Sequence, residues 1–385
     1  NITITDTPTD AQLAAIDAAT TGTITVSGGG GGGGGGSADP ITGTAAQVVS
    51  TLQGISNHSG SVTITDAPTV AQLKTINSAT TGAITLSTAN GALSGDSTDI
   101  AAAFAGTVTE HTGTITITNN DYTTAQLKAI NTESTGAITL STTNVALSGS
   151  AADLVLAFAG TVTEHTGTVT ITDAPTVAQL KAINNATTGP LTLNDYSVSL
   201  DGTAADVVAA LSGNFGSTYT GNVTITDTII SAHDLNSLDA LTSGKIDASS
   251  VITITGSFAA LNSAYTSEGI IGLGTIIIPS SNPSSVSDLN ALDNITTGII
   301  TSTVQETDIS TLTSLTDLNA NNAYKITITD SSVSAAELNL IDARTTVNID
   351  ASAITSITGN VDELKTAYVS TGITGLENEQ VTLSN

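Results

Sequence analysis

The sequence predicts a repeat solenoid: a β-solenoid with parallel strands and short helices, built from strand-helix coils of about 27 residues in a repeat of about 54. Three observations predict it. The sixteen residues VTITDAPTVAQLKTIN at 62–77 return at 169–184 with one change, Thr75 to Ala182, and ITITNNDYTTAQLKAIN at 115–131 is a third copy, one residue longer. The Asp or Asn that closes each TIT strand falls at Asp6, Asp66, Asn119, Asp173 and Asp227, at intervals of 60, 53, 54 and 54. Within each period a two-residue alternation of apolar residues gives way to a helical spacing, so neither element buries its apolar face without a neighbour.

The first coil of a repeat opens with a strand such as 169–173 and enters a helix through a capping box, which pairs two otherwise orphaned amides. The boxes are Thr9/Gln12, Thr69/Gln72, Thr123/Gln126, Thr176/Gln179 and Ser334/Glu337. Leu13/Ile16, Leu73/Ile76, Leu127/Ile130, Leu180/Ile183, Leu235/Leu238, Leu289/Leu292 and Leu338/Ile341 supply one core pair per helix. Gly22, Gly82, Gly136, Gly189, Gly244 and Gly298 follow, as expected of residues that permit a left-handed helix cap. The second coil has a strand region such as ITLSTTNVALSG (138–149) and a helix capped at Thr44, Ser150 or Thr203; GSFAALNSAY (256–265) and GNVDELKTAY (359–368) fill that slot later.

Residues 1–221 carry regular tandem repeats and 222–385 divergent repeats of the same continuous solenoid, closing on EQVTLSN, which reads as the opening strand of another unit. At roughly 4.8 Å per coil, about fourteen coils make a rod on the order of 70 Å long. Gly28–Gly36 fall in the first second-type coil and read either as a flexible loop or as stand-ins for residues of undetermined identity. They carry no phosphate-binding meaning, because no Lys in a P-loop context follows.

The chain has no Cys, Met or Trp and is 3% aromatic, so small and β-branched residues must fill its core. Seven basic against 34 acidic residues, a net charge of −27, exclude nucleic acid and anionic lipid as partners. With 11% charged residues it is no disordered polyanion. It contains no apolar run near the roughly 18 residues of a membrane span. Its first residue is Asn, which reads as a mature or excised segment.

TITDAPTVAQLKAIN, SDLNALDNITTG and IDASAITSITG in tandem resemble the Thr/Ala-rich repeats of very large secreted or cell-surface proteins of cyanobacteria and other bacteria, which carry provisional descriptions such as calcium-binding or adhesin-like. The resemblance implies an extracellular structural role, with no catalytic residues to carry over. The expected function is a subunit or segment of a bacterial surface filament, fibre or surface layer, assembled with itself by stacking of solenoid ends. Cell-surface glycans are the second partner to consider. An adhesin stalk or ice-binding module using the Thr-rich face is the alternative. No enzyme and no cofactor are expected: there is one Arg, Arg344, and no Ser-His-Asp set, HExxH or phosphate loop.

His58, His111 and His165 align at spacings of 53 and 54, two coils or about 9.6 Å apart, whereas ligands to one zinc each lie roughly 2 Å from it. They are expected at surface turns. Asp6, Asp66, Asp173, Asp227 and Asp330 are expected to brace their own strand-to-helix turns, leaving room for loosely bound Ca²⁺ that screens the charge. Lys74, Lys128 and Lys181 fall on the exposed helix face with acidic partners. The pairs Thr3/Thr5, Thr63/Thr65, Thr116/Thr118, Thr170/Thr172 and Thr224/Thr226 point to one face, continued by Thr85/Ser87 and Thr139/Ser141.

Overall fold

Gln72 donates its backbone amide to Thr69 Oγ1 while the Thr69 amide donates to Gln72 Oε1 at 3.0 Å, so the helix Val70–Ala79 starts where the sequence places its capping box. The same reciprocal pair opens Thr124–Thr132, Val177–Ala186 and Ala45–Leu52, and Asn360 with Glu363 opens Val361–Val369. Ser150, Thr203 and Ser334 cap Ala151–Ala157, Ala204–Leu211 and Ala335–Asp342. Helices this short are marginal alone. They persist here by packing.

The computed structural model describes residues 1–4, 12, 15–16, 18–21, 24–26, 38–55, 57–279 and 282–384. Thr5, Asp6, Thr9, Leu13, Gly22 and Gly28–Gly36 lie outside them. The described chain forms repeated parallel β-α-β units in many small parallel sheets, an α/β repeat architecture divided into two bodies.

The N-terminal body comprises Asn1–Asp195 and Gly213–Ser217. Strand Ile2–Ile4 pairs with Ile24–Val26. Three further sheets follow: Ile41–Gly43, Val62–Ile64 and Ile84–Leu86; Leu93–Gly95, Ile115–Ile117 and Ile138–Leu140; and Leu147–Gly149, Val169–Ile171 and Leu191–Leu193. The C-terminal body comprises Tyr196–Ser212 and Thr218–Asn385. Its widest sheet orders Ile229–Ser231, Thr253–Thr255, Thr275–Ile277, Ile300–Thr303 and Ala323–Lys325.

Register corrects the expected coil of about 27 residues. Val62 pairs with Ile84, 22 residues on, and Ile115 with Ile138, 23 residues on. The remainder of the 54-residue period is a sideways step: Leu147–Gly149 begins nine residues after Ile138 and starts a new sheet. Sequence period reports the sum of these steps, and only the hydrogen-bond ladder separates them.

The core lies between strands and helices. Val62 and Ile64 point inward around a half-buried Thr63, and the paired helix residues Leu73/Ile76, Leu127/Ile130, Leu180/Ile183, Leu235/Leu238, Leu289/Leu292 and Leu338/Ile341 are completely buried. Each such side chain stabilises the fold by about 1.5–3 kcal/mol.

The glycines after these helices are not left-handed caps. Gly82, Gly136, Gly189, Gly244 and Gly298 are absent from the positive-φ positions, which fall instead at residues such as Gly106 and Gly160. Their role is close approach between backbones of successive segments: a Cβ on Gly136 would lie 1.8 Å from the Gly113 carbonyl oxygen, and one on Gly189 1.9 Å from that of Gly167. Gly136→Ala should therefore cost about 3 kcal/mol or more, since backbone must move to admit the methyl group. Gly149→Ala, whose Cβ would meet Thr124 Cγ2 at 3.1 Å, should cost much less; denaturant midpoints of the two variants check this.

Candidate functional site

The described strand-end acidic residues, Asp66, Asp173, Asp227 and Asp330, do not brace their own turns. Each reaches back to the preceding helix. Asp66 Oδ1 accepts from the Ala45 amide at 2.7 Å, Asp173 Oδ1 from Ala151 at 2.7 Å, Asp227 Oδ2 from Ala204 at 2.7 Å and Asp330 Oδ2 from Ile309 at 2.6 Å. Asn119 does the same for Ser97 at 2.9 Å, and Glu306 for Val286 at 2.9 Å. Every recipient is the first residue of a helix. These first-turn amides have no intrahelical partner, and a carboxylate there also meets the positive end of the helix dipole.

A second set of bonds runs the other way. Asn77 Nδ2 donates to the Ala102 carbonyl at 2.9 Å, Asn131 to Leu156 and Ala159 at 2.7 Å each, Asn290 to Ser314 at 2.8 Å and Asn339 to Glu363 at 2.9 Å. Each bridges one helix to the following segment. Sequence reasoning passed over these residues; the signal was the recurring Asn in QLKxIN and in DLN or ELN, which no helix propensity explains.

His58, His111 and His165 are buried, which overturns their expected place at surface turns. His111 Nε2 donates to the Gly91 carbonyl at 2.8 Å and its ring lies 5.7 Å from Phe104; His165 Nε2 donates to Val145 at 2.8 Å beside Phe158 at 5.5 Å. Both ring nitrogens of His58 are buried without a hydrogen bond. Burial pulls all three imidazoles below their ordinary pKa; the Asp39 charge opposes this at His58, and backbone bonds oppose it at His111 and His165. Glu110 and Glu164, the preceding residues, are exposed. Among the described residues no cluster of three or more His, Asp or Glu is placed to hold a metal.

Lys74 pairs with Asp99, and Lys128 with Asp153 at 2.5 Å, one segment ahead in each case. The Lys128 ammonium holds the Asp153 carboxyl below its usual range. Both pairs are solvent-exposed and contribute little. An open groove of about 560 Å³ beside the second pair is walled by Ala101, Ala125 and Ala129 over Phe104.

Of the described T-x-T pairs, the first Thr stands in a ladder and the second lies just past the paired strand. Thr63 lies in register with Thr42 and Thr85, Thr116 with Ser94 and Thr139, and Thr170 with Ser148 and Thr192. In the C-terminal body Thr224 is flanked instead by Asp201 and Asp247. No helix among the described residues is long and apolar enough to cross a membrane.

Compared with known proteins, the chain matches no family model, no curated protein and no solved structure.

Asp173→Ala should lower stability by about 1–2 kcal/mol, because the Ala151 amide is left without its acceptor. Asp173→Asn should cost less than half of that, since Asn119 already fills the same role; paired urea titrations distinguish them. The histidines make stability pH-dependent. Their folded pKa values lie below the unfolded value of about 6.5, so stability is full above that pH and falls as acid charges the unfolded chain. The melting temperature should drop from pH 7.5 to 5.5, and the drop should shrink in His111→Gln/His165→Gln.

Proposed function

We propose that the chain is an extracellular structural repeat protein, a subunit or segment of a bacterial surface filament, fibre or surface layer. Its βα segments wind as a β-solenoid that extends by laying further coils on its open edges. The partner is another copy or further repeats, with cell-surface glycans as a second class of contact. The net charge of −27 and the lack of Cys suit an exposed, oxidising location.

One observation carries this reading. In the sheet of Ser332–Ser334, Ser356–Gly359 and Gln380–Leu383, Val333 and Ile357 are buried, while their register partner Val381 is 49% exposed and Leu383 65%. The first helix residue repeats the contrast: Ala335 is fully buried, yet Val361 is 66% exposed. Each segment is buried by its successor. A repeat whose segments are each completed by the next, as Ala45 by Asp66 and Ala151 by Asp173, suits extension by further repeats or by another copy.

Electron microscopy of the purified chain should show end-to-end oligomers or filaments, and Val381→Lys should leave single particles. Dispersed monomers of the unmodified chain at high concentration would count against assembly. The in-register Thr ladders favour a second reading, an adhesin stalk or ice-binding module. Thermal hysteresis or glycan binding that is lost in Thr63→Tyr/Thr170→Tyr would promote it over the first.

A further inference from the structure

We infer that Asn90 is a site of spontaneous covalent modification: the backbone amide of Gly91 attacks its side chain, and the residue passes through a succinimide to isoaspartate and aspartate. Asn90 and Gly91 form the one Asn-Gly step in the chain. Asn90 is exposed and ends the turn formed by residues 87–90. Among the described residues neither its side chain nor the Gly91 amide makes a hydrogen bond, so nothing ties down the nucleophile or the amide that leaves. Glycine adds no Cβ to hinder the approach and turns freely about its backbone.

The reaction needs only solvent. Hydroxide takes the Gly91 amide proton and the nitrogen attacks Asn90 Cγ. The N–Cγ bond forms as the Cγ–Nδ2 bond breaks, and Nδ2 leaves as ammonia with a proton returned by water. A second water then opens the ring. Attack at Cγ restores the main chain and leaves Asp, whereas attack at the main-chain carbonyl carbon leaves Gly91 joined through Cγ, which is isoaspartate. In both outcomes the Gly91 nitrogen regains its proton and the new carboxyl loses one, adding a negative charge to the formal −27.

The surroundings give the change a structural effect. The Ala89 carbonyl accepts from the Thr112 and Gly113 amides at 2.9 and 3.3 Å, and the Gly91 carbonyl accepts from His111 Nε2 at 2.8 Å. Asn90 thus lies between the two points that tie its turn to the following segment, and a Cβ on Gly113 would be 2.5 Å from its carbonyl oxygen. Isoaspartate puts an extra carbon into the main chain there and a carboxylate where that carbonyl packs. The next repeat is an internal comparison: around the exposed Asn144, Thr143 accepts from Thr166 at 2.9 Å and Val145 from His165 at 2.8 Å. Its following residue is the β-branched Val145, whose side chain crowds the attacking nitrogen. The chain's Asp-Gly step, Asp201 and Gly202, is held in strand register with Thr224 and Ile225.

Peptide mapping by mass spectrometry, with an isoaspartyl methyltransferase as the probe for isoaspartate, follows the folded chain through incubation at graded pH. Asn90 should convert first, in proportion to hydroxide, and about tenfold or more faster than Asn144. Val145→Gly should make Asn144 a second site of similar rate. The aged chain should melt lower than the fresh one. Freshly prepared Asn90→Asp, which adds the charge without the extra main-chain carbon, should keep most of the fresh chain's melting temperature. Asn90 left intact in the folded chain at a pH where the urea-unfolded chain converts would overturn the inference. So would equal rates at Asn90 and Asn144, or an Asn144 that stays intact in Val145→Gly.

Discussion

Helices such as Ala45–Leu52, Ala151–Ala157 and Ala204–Leu211 start at a backbone amide that their own segment leaves unpaired, and the acidic residue ending the next segment's strand supplies the acceptor. Asp66 on Ala45 and Asp173 on Ala151 show the pattern in its regular form. An unpaired buried amide costs free energy comparable to a lost hydrogen bond. A segment is therefore complete only when its successor is present. Asparagines such as Asn131 and Asn290, donating to carbonyls of the following segment, tie the helix side in the same direction.

The composition fits this dependence. Val, Ile, Leu and Ala fill most of the core between each short strand and its helix, and the few aromatic residues of the chain, such as Phe104, Tyr122, Phe158 and Tyr324, are buried among them. Where backbones of successive segments come closest, at Gly113 and Gly136 or Gly167 and Gly189, no side chain fits at all. The glycines are conditions of stacking, not of helix termination. The outer sheet face varies, from Thr42, Thr63 and Thr85 in one sheet to Asp201, Thr224 and Asp247 in another.

Against this regular background, departures are informative. Where Asp239 and Asp342 accept from Ser267 and Ser370, the buried Asp293 accepts from the Asn322 side chain instead. The histidines are the opposite case. They recur because the same buried slot recurs, each on the coil edge beside a Thr or Ser: His58 with Thr80, His111 with Ser134 and His165 with Thr187.

The sequence by itself determined the local elements: capping boxes such as Thr176/Gln179, the buried pair Leu180/Ile183, the strand alternation of Val169–Ile171 and the fact of repetition. All of these are read within a few residues, where propensity, periodicity and capping act. Tertiary structure alone decided the pairing step of 22 residues between Val62 and Ile84, the reach of Asp66 back to Ala45, the burial of His111 and the reason for Gly136. Each is a relation between segments some twenty residues apart. A period in the letters counts residues, but it does not say which backbone lies against which, and that contact determines whether an Asp caps its own turn or its neighbour's helix.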